Sequence, residues 1–443
     1  MLASKLSISG VKAFSKGILY KNFHSINNDT YKVVIVGAGA AGLNTSSLLI
    51  KRKIFNASEI ALIDPFEIHY YYSFLTLVGG GLKPQKNEDF LKNNKNFQRN
   101  IRDVIHPKVS LFNNNVKEID LKFNKIHLSN NLELKYKYLI LCPGIMPSFD
   151  NIKNSIMSMN NPNCNVSSIY YQLNAIKLNN LKNSFKGGDA IFVTNTPPTK
   201  CGGAPIKMCF ILNDYFRKKG LNYNIKFYTP LESLFSVEEY SEKLFDLCDQ
   251  RNIEVKTNHK ILEIDPIKSQ IIFSNNNKII NQHFDIAHIT PEFFLHNDFH
   301  NFPFTQKKNS IEIDSTTFLV KNTNNVFCIG DAANLSVGKT ASSISSQVPV
   351  LIRNITRLEN NQSMDASFDG YSLCPVFTSL NQIILLESKF STESAKSFFN
   401  KALKPRRIFA FFIKYMMPKI YWALFIKGKW FGKRFLFAPK FPK

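Results

Sequence analysis

Acidic residues are scarce in this 443-residue chain: 33 Asp and Glu stand against 56 Lys and Arg, a formal net charge of +23. Such an imbalance makes a cationic partner implausible and points to an anionic one, either nucleic acid or a membrane surface. No nucleic-acid-binding module accompanies the charge, so no nucleic acid is expected. The seven cysteines (142, 164, 201, 209, 248, 328 and 374) are irregularly spaced. They form no zinc pattern and no secreted disulfide framework, and no metal site is expected. No run is both long enough and uncharged enough to span a bilayer. The length exceeds what one ordinary core serves, so two domains are the natural expectation.

The two ends lack acids altogether. From Met1 to His24 the chain carries Lys5, Lys12, Lys16 and Lys21 with Leu2, Leu6, Ile8, Val11, Phe14 and Ile18 interleaved. That is the amphipathic, acid-free composition of a mitochondrial presequence, assigned to residues 1–25, although its basic residues are lysines and not arginines. From Lys401 to Lys443, aromatic and aliphatic residues alternate with Lys and Arg, including Tyr421, Trp422 and Trp430. Pro418 is expected to break this material into two short amphipathic helices lying in a membrane surface. Removing everything after about Lys404 is then expected to leave the cofactor bound.

What is present begins with a continuous apolar strand entering Gly37-Ala-Gly-Ala-Ala-Gly42 and then a helix. Gly37 permits the tight turn, Gly39 lets a diphosphate approach past Ala40 and Ala41, and Gly42 allows close helix–strand packing. The helix N-terminus supplies amides for the anion. A second strand, 60–63, ends in Asp64, an acid placed to bond ribose hydroxyls. Two further short motifs follow, Tyr138-Leu-Ile-Leu-Cys-Pro-Gly144 and Asn325-Val-Phe-Cys-Ile-Gly-Asp331. These resemble the crossover and Gly-Asp signatures of the flavoproteins that pair two dinucleotide folds. That resemblance implies FAD and assigns Asp331 to the ribityl-phosphate end of the flavin.

The second dinucleotide turn is missing. The strand over 190–194 runs into Asn195-Thr-Pro-Pro-Thr-Lys-Cys-Gly-Gly203, and Pro197 and Pro198 have no amide hydrogens to cradle a diphosphate. No nicotinamide nucleotide is expected there. The loop instead presents Cys201 beside Lys200, whose charge favours the thiolate that a nucleophilic cysteine needs. The first flavin helix has no redox cysteine pair, only Asn44-Thr-Ser-Ser47. Electrons must therefore come from something small that Cys201 can handle, and the tail points to a lipid-soluble acceptor.

From Tyr31 to the tail the chain resembles the mitochondrial sulfide:quinone oxidoreductases. The matching stretches include 63–72, Thr76-Leu-Val-Gly-Gly-Gly81, 195–207, Tyr215-Phe-Arg-Lys218, Thr290-Pro291, Gly330-Asp331 and Gly370-Tyr-Ser-Leu-Cys-Pro375. The resemblance implies an α/β fold of two Rossmann-like domains. The flavin domain spans 30–150 and 304–375, the second domain 151–303, and a membrane-associated region 376–443. It implies FAD near Tyr72 and Val116, oxidation of hydrogen sulfide to a persulfide at Cys201, and electron delivery to ubiquinone. Glutathione or sulfite would take up the sulfur, at the matrix face of the mitochondrial inner membrane. The resemblance implies a second redox cysteine directly after the Gly-Asp acid, where this chain has Ala332. Cys328 is too far along its strand to replace it, and Cys374 is expected only to pack. Two alternatives follow: a regulatory flavoprotein subunit that has lost its redox pair, and an NADH:quinone oxidoreductase.

Overall fold

The computed structural model describes residues 30–83, 88–306, 309–395, 403–434, 436–437, 439 and 441. The presequence assigned to residues 1–25 lies outside the described residues. The first sheet is built on Thr30–Val36, which pairs in parallel with Ile60–Ile63 on one side and Glu133–Leu141 on the other. Ser110–Phe112 extends it beyond Ile60–Ile63, and Val326–Cys328 returns from far along the chain to pair in parallel with Glu133–Leu141. Val116–Asp120 and Lys125–Leu128 complete it as an antiparallel edge. Val33, Val34 and Ile35 are fully buried. The strand is covered on both faces, which is why it reads as unbroken apolar sequence and not as alternation.

The second sheet is wholly parallel, in the order Val166–Ser167, Ile286–Ile289, Gly188–Val193, Tyr223–Tyr228, Ile253–Lys256. The Ala204–Lys218 helix makes the crossover from Gly188–Val193 to Tyr223–Tyr228, and Glu238–Asp249 makes the next. Two Rossmann-like sheets are thus present. The antiparallel hairpin Tyr371–Ser379 with Gln382–Lys389 packs against both the Ala204–Lys218 helix and the long Ala341–Glu359 helix. That hairpin brings the distant C-terminal sequence against the loop that carries Cys201.

The tail departs from expectation. Residues Arg407–Phe425 form one helix, long and apolar enough by length and composition to cross a membrane, with a mean hydropathy of 1.3. Pro418 does not break it. The missing Pro418 amide and its ring would disturb the carbonyl one turn back. The helix widens to π geometry over Phe412–Met416 and again over Tyr421–Phe425, and so accommodates the proline without a break. One face, carrying Ala410, Pro418, Tyr421, Trp422 and Phe425, is buried against the fold. The opposite face leaves Ile408 64% and Phe411 54% exposed, with Tyr415 and Met416 beside them.

The inner face is fastened by polar groups. His69 Nε2 lies 2.6 Å from Tyr421 Oη, and Trp422 Nε1 donates to the Asn96 carbonyl at 2.8 Å. Ser47 Oγ donates to the Ile426 carbonyl at 2.8 Å. Burial holds His69 near a pKa of about 4, so the latch carries no charge at neutral pH. The tail is therefore packed into the first domain's core and is not the pair of free surface helices expected from the sequence.

Candidate active site

Cys201 sits at the entrance of the Ala204–Lys218 helix in a left-handed conformation, with φ 56°. That is an uncommon state for a residue with a side chain. Its amide donates to the Lys339 carbonyl at 3.0 Å, and its carbonyl accepts from Ala204 at 2.7 Å. The loop is thereby pinned to the segment that leads into the Ala341–Glu359 helix. The sulfur lies near the positive end of a 15-residue helix, which stabilises a thiolate.

The sulfur facing it belongs to Cys374. The two Sγ atoms are 3.6 Å apart, and Lys207 Nζ is 3.2 Å from Cys201 Sγ. This overturns the expectation that the partner place belongs to the residue after Asp331. Ala332 is fully buried in a tight turn, whereas strand Tyr371–Ser379 delivers Cys374 directly to the loop. Gly203 makes the approach possible. A Cβ there would stand 2.6 Å from Cys374 Sγ and 3.0 Å from Val376. Cys328 is fully buried on its strand, where burial pushes its thiol far up.

Hydrogen bonding from the Cys374 thiol, and then the Lys207 charge, hold the Cys201 thiol down at about 5 against the cost of burial. Cys374, sharing its proton with Cys201, is pushed well up. Burial works against the Lys207 charge, but the two sulfurs outweigh it and raise the lysine above its usual value. The neighbouring Lys200, expected to activate Cys201, does something else. Its ammonium lies over the Tyr72 ring at 4.6 Å, and burial lowers its pKa while the Asp331 charge opposes that.

The second sheet carries buried polar groups with open valences. Asn195 Nδ2 and His288 Nδ1 are buried without a hydrogen-bond partner, and the buried Tyr170 and Thr290 hydroxyls lie close to each other. They follow, or sit within, the carboxyl ends of Gly188–Val193, Ile286–Ile289 and Val166–Ser167, the end at which open α/β sheets take their ligands. Burial, then the nearby Cys201 and Cys374 charges, raise the Tyr170 hydroxyl, which places it beside the sulfurs.

The flavin-side residues fit a dinucleotide. Gly37 has φ +99°, and a Cβ on it would strike the Cys142 carbonyl at 2.2 Å. A Cβ on Gly39 would meet nothing within 4 Å, so the loop is open where a diphosphate approaches. The Ala40–Lys51 helix, which includes Ala41 and Gly42, has no capping side chain and no acid in its first turn. Asp64 accepts from Ala38 N at 2.7 Å through one oxygen and from Phe66 N at 2.9 Å through the other, which fixes the loop. Gly330 approaches Ala41, and the half-buried Asp331 follows it. Val116 is buried at the start of its strand, paired with Leu128.

Reading the sequence missed Lys207 and the role of Cys374. Lys207 had a signal: a lysine in the first turn of a helix, where the dipole disfavours it, amid Ile206, Met208 and Cys209 and almost fully buried.

The pyridine nucleotide-disulphide oxidoreductase family matches residues 31–194. The mitochondrial sulfide:quinone oxidoreductase of Dictyostelium discoideum is 32% identical over 437 residues, covering 97% of this chain and 93% of the relative. Among solved structures, the sulfide:quinone oxidoreductase of Aquifex aeolicus superposes with a TM-score of 0.72 at 16% identity, covering 90% of this chain and 92% of that one. A chain of the Tetrahymena thermophila mitochondrial ATP synthase superposes at 0.75 with 18% identity, covering 92% and 98%. These two likenesses speak to the fold, and the Dictyostelium relative speaks to descent. Matched over nearly its whole length, this chain belongs to the sulfide:quinone oxidoreductase family.

Proposed function

We propose that this protein oxidises hydrogen sulfide at the Cys201–Cys374 pair and delivers the electrons to a quinone. The observation that carries the reading is two sulfurs 3.6 Å apart with a lysine ammonium 3.2 Å from one of them. In the oxidised state the two sulfurs form a disulfide. Hydrosulfide attacks one of them, forms a new S–S bond as a persulfide, and expels the other as a thiolate. Lys207, 3.2 Å from Cys201 Sγ, makes Cys201 the better leaving thiolate, because a charge-stabilised thiolate departs faster. That polarity puts the added sulfur on Cys374, not on Cys201 as the family resemblance implies, and gives Cys201 the thiolate role. The Tyr170 hydroxyl offers a hydrogen bond to a small polar sulfur species beside the pair. Transfer of the outer sulfur to a thiol such as glutathione, or to sulfite, leaves both cysteines reduced, and the disulfide re-forms as their two electrons are passed on towards the quinone.

Gly37, Gly39, Ala40, Ala41, Gly42, Asp64 and Asp331 would hold FAD, with Tyr72 near its ring end. A bound flavin supplies two-electron storage between sulfur and quinone. Lys200 and Lys339 set positive charge on either side of Asp331. The apolar outer face of Arg407–Phe425 suits the surface of a bilayer that holds the quinone. The relative's mitochondrial name supports a mitochondrial location, and we place the protein on the matrix side of the inner membrane.

The regulatory reading rested on Ala332 and loses its ground once Cys374 supplies the second sulfur. The nicotinamide reading still meets Pro197 and Pro198 where amides are needed. Anaerobic stopped-flow absorbance of the flavin decides the matter. Sulfide should bleach the wild type and Cys328→Ser, but neither Cys201→Ser nor Cys374→Ser, and NADH should bleach none of them. Full bleaching by sulfide in either of the latter two variants removes the pair from the mechanism.

A further inference from the structure

The Tyr215-Phe-Arg-Lys218 run takes no part in the sulfur pair or the flavin loop. Its Arg217 and Lys218 line a groove of about 750 Å³ between the end of the Ala204–Lys218 helix, the turn after Glu238–Asp249, the 379–382 hairpin turn and the first residue of the tail helix. Four cations, Arg217, Lys218, Arg251 and Arg407, face a single carboxylate, Asp214. That carboxylate is fully engaged: one oxygen accepts from Arg217 at 2.7 Å, the other from Lys218 at 2.9 Å and from the Leu380 amide at 3.0 Å. Among the described residues, no carboxylate pairs with Arg251 or Arg407. Arg251 is held in place by the Leu247 carbonyl at 3.1 Å and by the Phe210 ring at 5.3 Å.

The groove is joined to the tail helix. Ile383 and Arg406 exchange both backbone hydrogen bonds, at 3.1 and 2.9 Å, and Lys414 Nζ donates to Asn381 Oδ1 at 2.8 Å. Its rim at Arg407 therefore continues directly onto the exposed apolar face that begins with Ile408 and Phe411.

We propose that this groove binds the phosphate-bearing headgroup of an anionic lipid, with Arg251 and Arg407 on the phosphate and the acyl chains running along Ile408 and Phe411. The proposal rests on the reading that the tail helix lies against a membrane. A phosphate oxyanion matches two guanidinium forks that lack an acid partner. The volume exceeds a bare phosphate and suits a glycerophosphate headgroup. An apolar face at the rim gives a lipid, and not a free phosphate, something to do with the rest of its length.

The test uses the full flavin-loaded chain and two measurements. The first is thermal stabilisation by dihexanoyl-phosphatidylglycerol below its micellar concentration, beside dihexanoyl-phosphatidylcholine and inorganic pyrophosphate. The anionic short lipid should stabilise the wild type and the charge-matched surface variant Lys404→Gln/Lys419→Gln, but not Arg251→Gln/Arg407→Gln. The second is sedimentation with vesicles of phosphatidylcholine, with and without phosphatidylglycerol. The groove variant should lose about 30-fold in partitioning to the anionic vesicles, from about fivefold per basic residue, and keep its binding to neutral ones. Equal loss of stabilisation in both variant pairs means diffuse charge and overturns the site. Stabilisation by pyrophosphate but not by the short lipid overturns the lipid assignment. Failure of the membrane reading looks different: wild type would ignore both vesicles, and Ile408→Ser/Phe411→Ser would change nothing, while the short lipid still distinguished the groove variant.

Discussion

Replacing Lys207 with methionine keeps the stem of the side chain and removes its charge. The ammonium lies 3.2 Å from Cys201 Sγ, where two unit charges at an effective dielectric of about 20 attract by about 5 kcal/mol. Burying the lysine gives part of that back, and the Cys374 thiol is the larger cause of the low Cys201 pKa. The change should therefore lift the Cys201 midpoint by about two pH units, from about 5 to about 7, a cost of about 3 kcal/mol to the thiolate. The sign also runs through stability. A thiol whose pKa is depressed from 9.0 to about 5 contributes stability that is full above pH 9 and lost as pH falls towards 5. In the variant that window should narrow from its lower end. The assay is the pH dependence of Cys201 alkylation by iodoacetamide in the reduced protein, read by peptide mass, with Lys207→Arg as the charge-keeping control. An unchanged midpoint in Lys207→Met, with the flavin still bound, would refute the assignment of this lysine.

Trapping the sulfide-treated protein with an alkylating agent and digesting it should show the extra sulfur on the Cys374 peptide; its presence on the Cys201 peptide alone would reverse the polarity argued from Lys207. Gly203→Ala should keep flavin absorbance yet slow sulfide-dependent bleaching severely, because its Cβ would lie 2.6 Å from the Cys374 sulfur; a wild-type rate would show that the strand yields freely. Ala332→Cys should bring no gain in that rate, since Cys201 already faces a sulfur; a clear acceleration would restore that position to the cycle. Truncation after Lys404 exposes the surfaces that bury Tyr421, Trp422, Phe425 and Ile426, a loss of about 8 kcal/mol at about 2 kcal/mol per large side chain. That approaches the whole stability of a typical domain, about 5–15 kcal/mol, so the truncated chain should lose cooperative unfolding by calorimetry; a sharp transition with flavin retained would contradict the packing.

The first strand–turn–helix unit was legible because its signals are local. Gly37, Gly39 and Gly42 lie within six residues, and the strand that ends at Asp64 is consecutive with them along the chain. The Gly330-Asp331 turn carries a comparable local signature. The sulfur pair was only half legible. Cys201 announced itself through its Pro/Gly loop, but its partner lies 173 residues away, and only the packing of the Tyr371–Ser379 strand against the Ala204–Lys218 helix brings the two together. No spacing along the chain reports that contact. Pro418 misled for a related reason: its effect on a helix was judged in isolation, whereas π-turns and a docked inner face absorb it here. The basic tail was correctly seen as apolar and acid-free, but not as half of a core.

The bonds between Ser47 and Ile426 and between Lys51 and Gly428 bridge 379 and 377 residues. They have a consequence for how the chain comes into being. One side of the Ala40–Lys51 helix is covered by residues that follow it by 377 and 379 positions. During synthesis that side waits, uncovered, for them to follow, so the native first domain cannot be finished while they are still in the ribosome. Contacts of such long sequence separation also close slowly. A nascent chain of this kind stays threadable until that segment emerges. Docking of Tyr421, Trp422, Ile426 and Gly428 on the first domain is then the step that commits it to its final form.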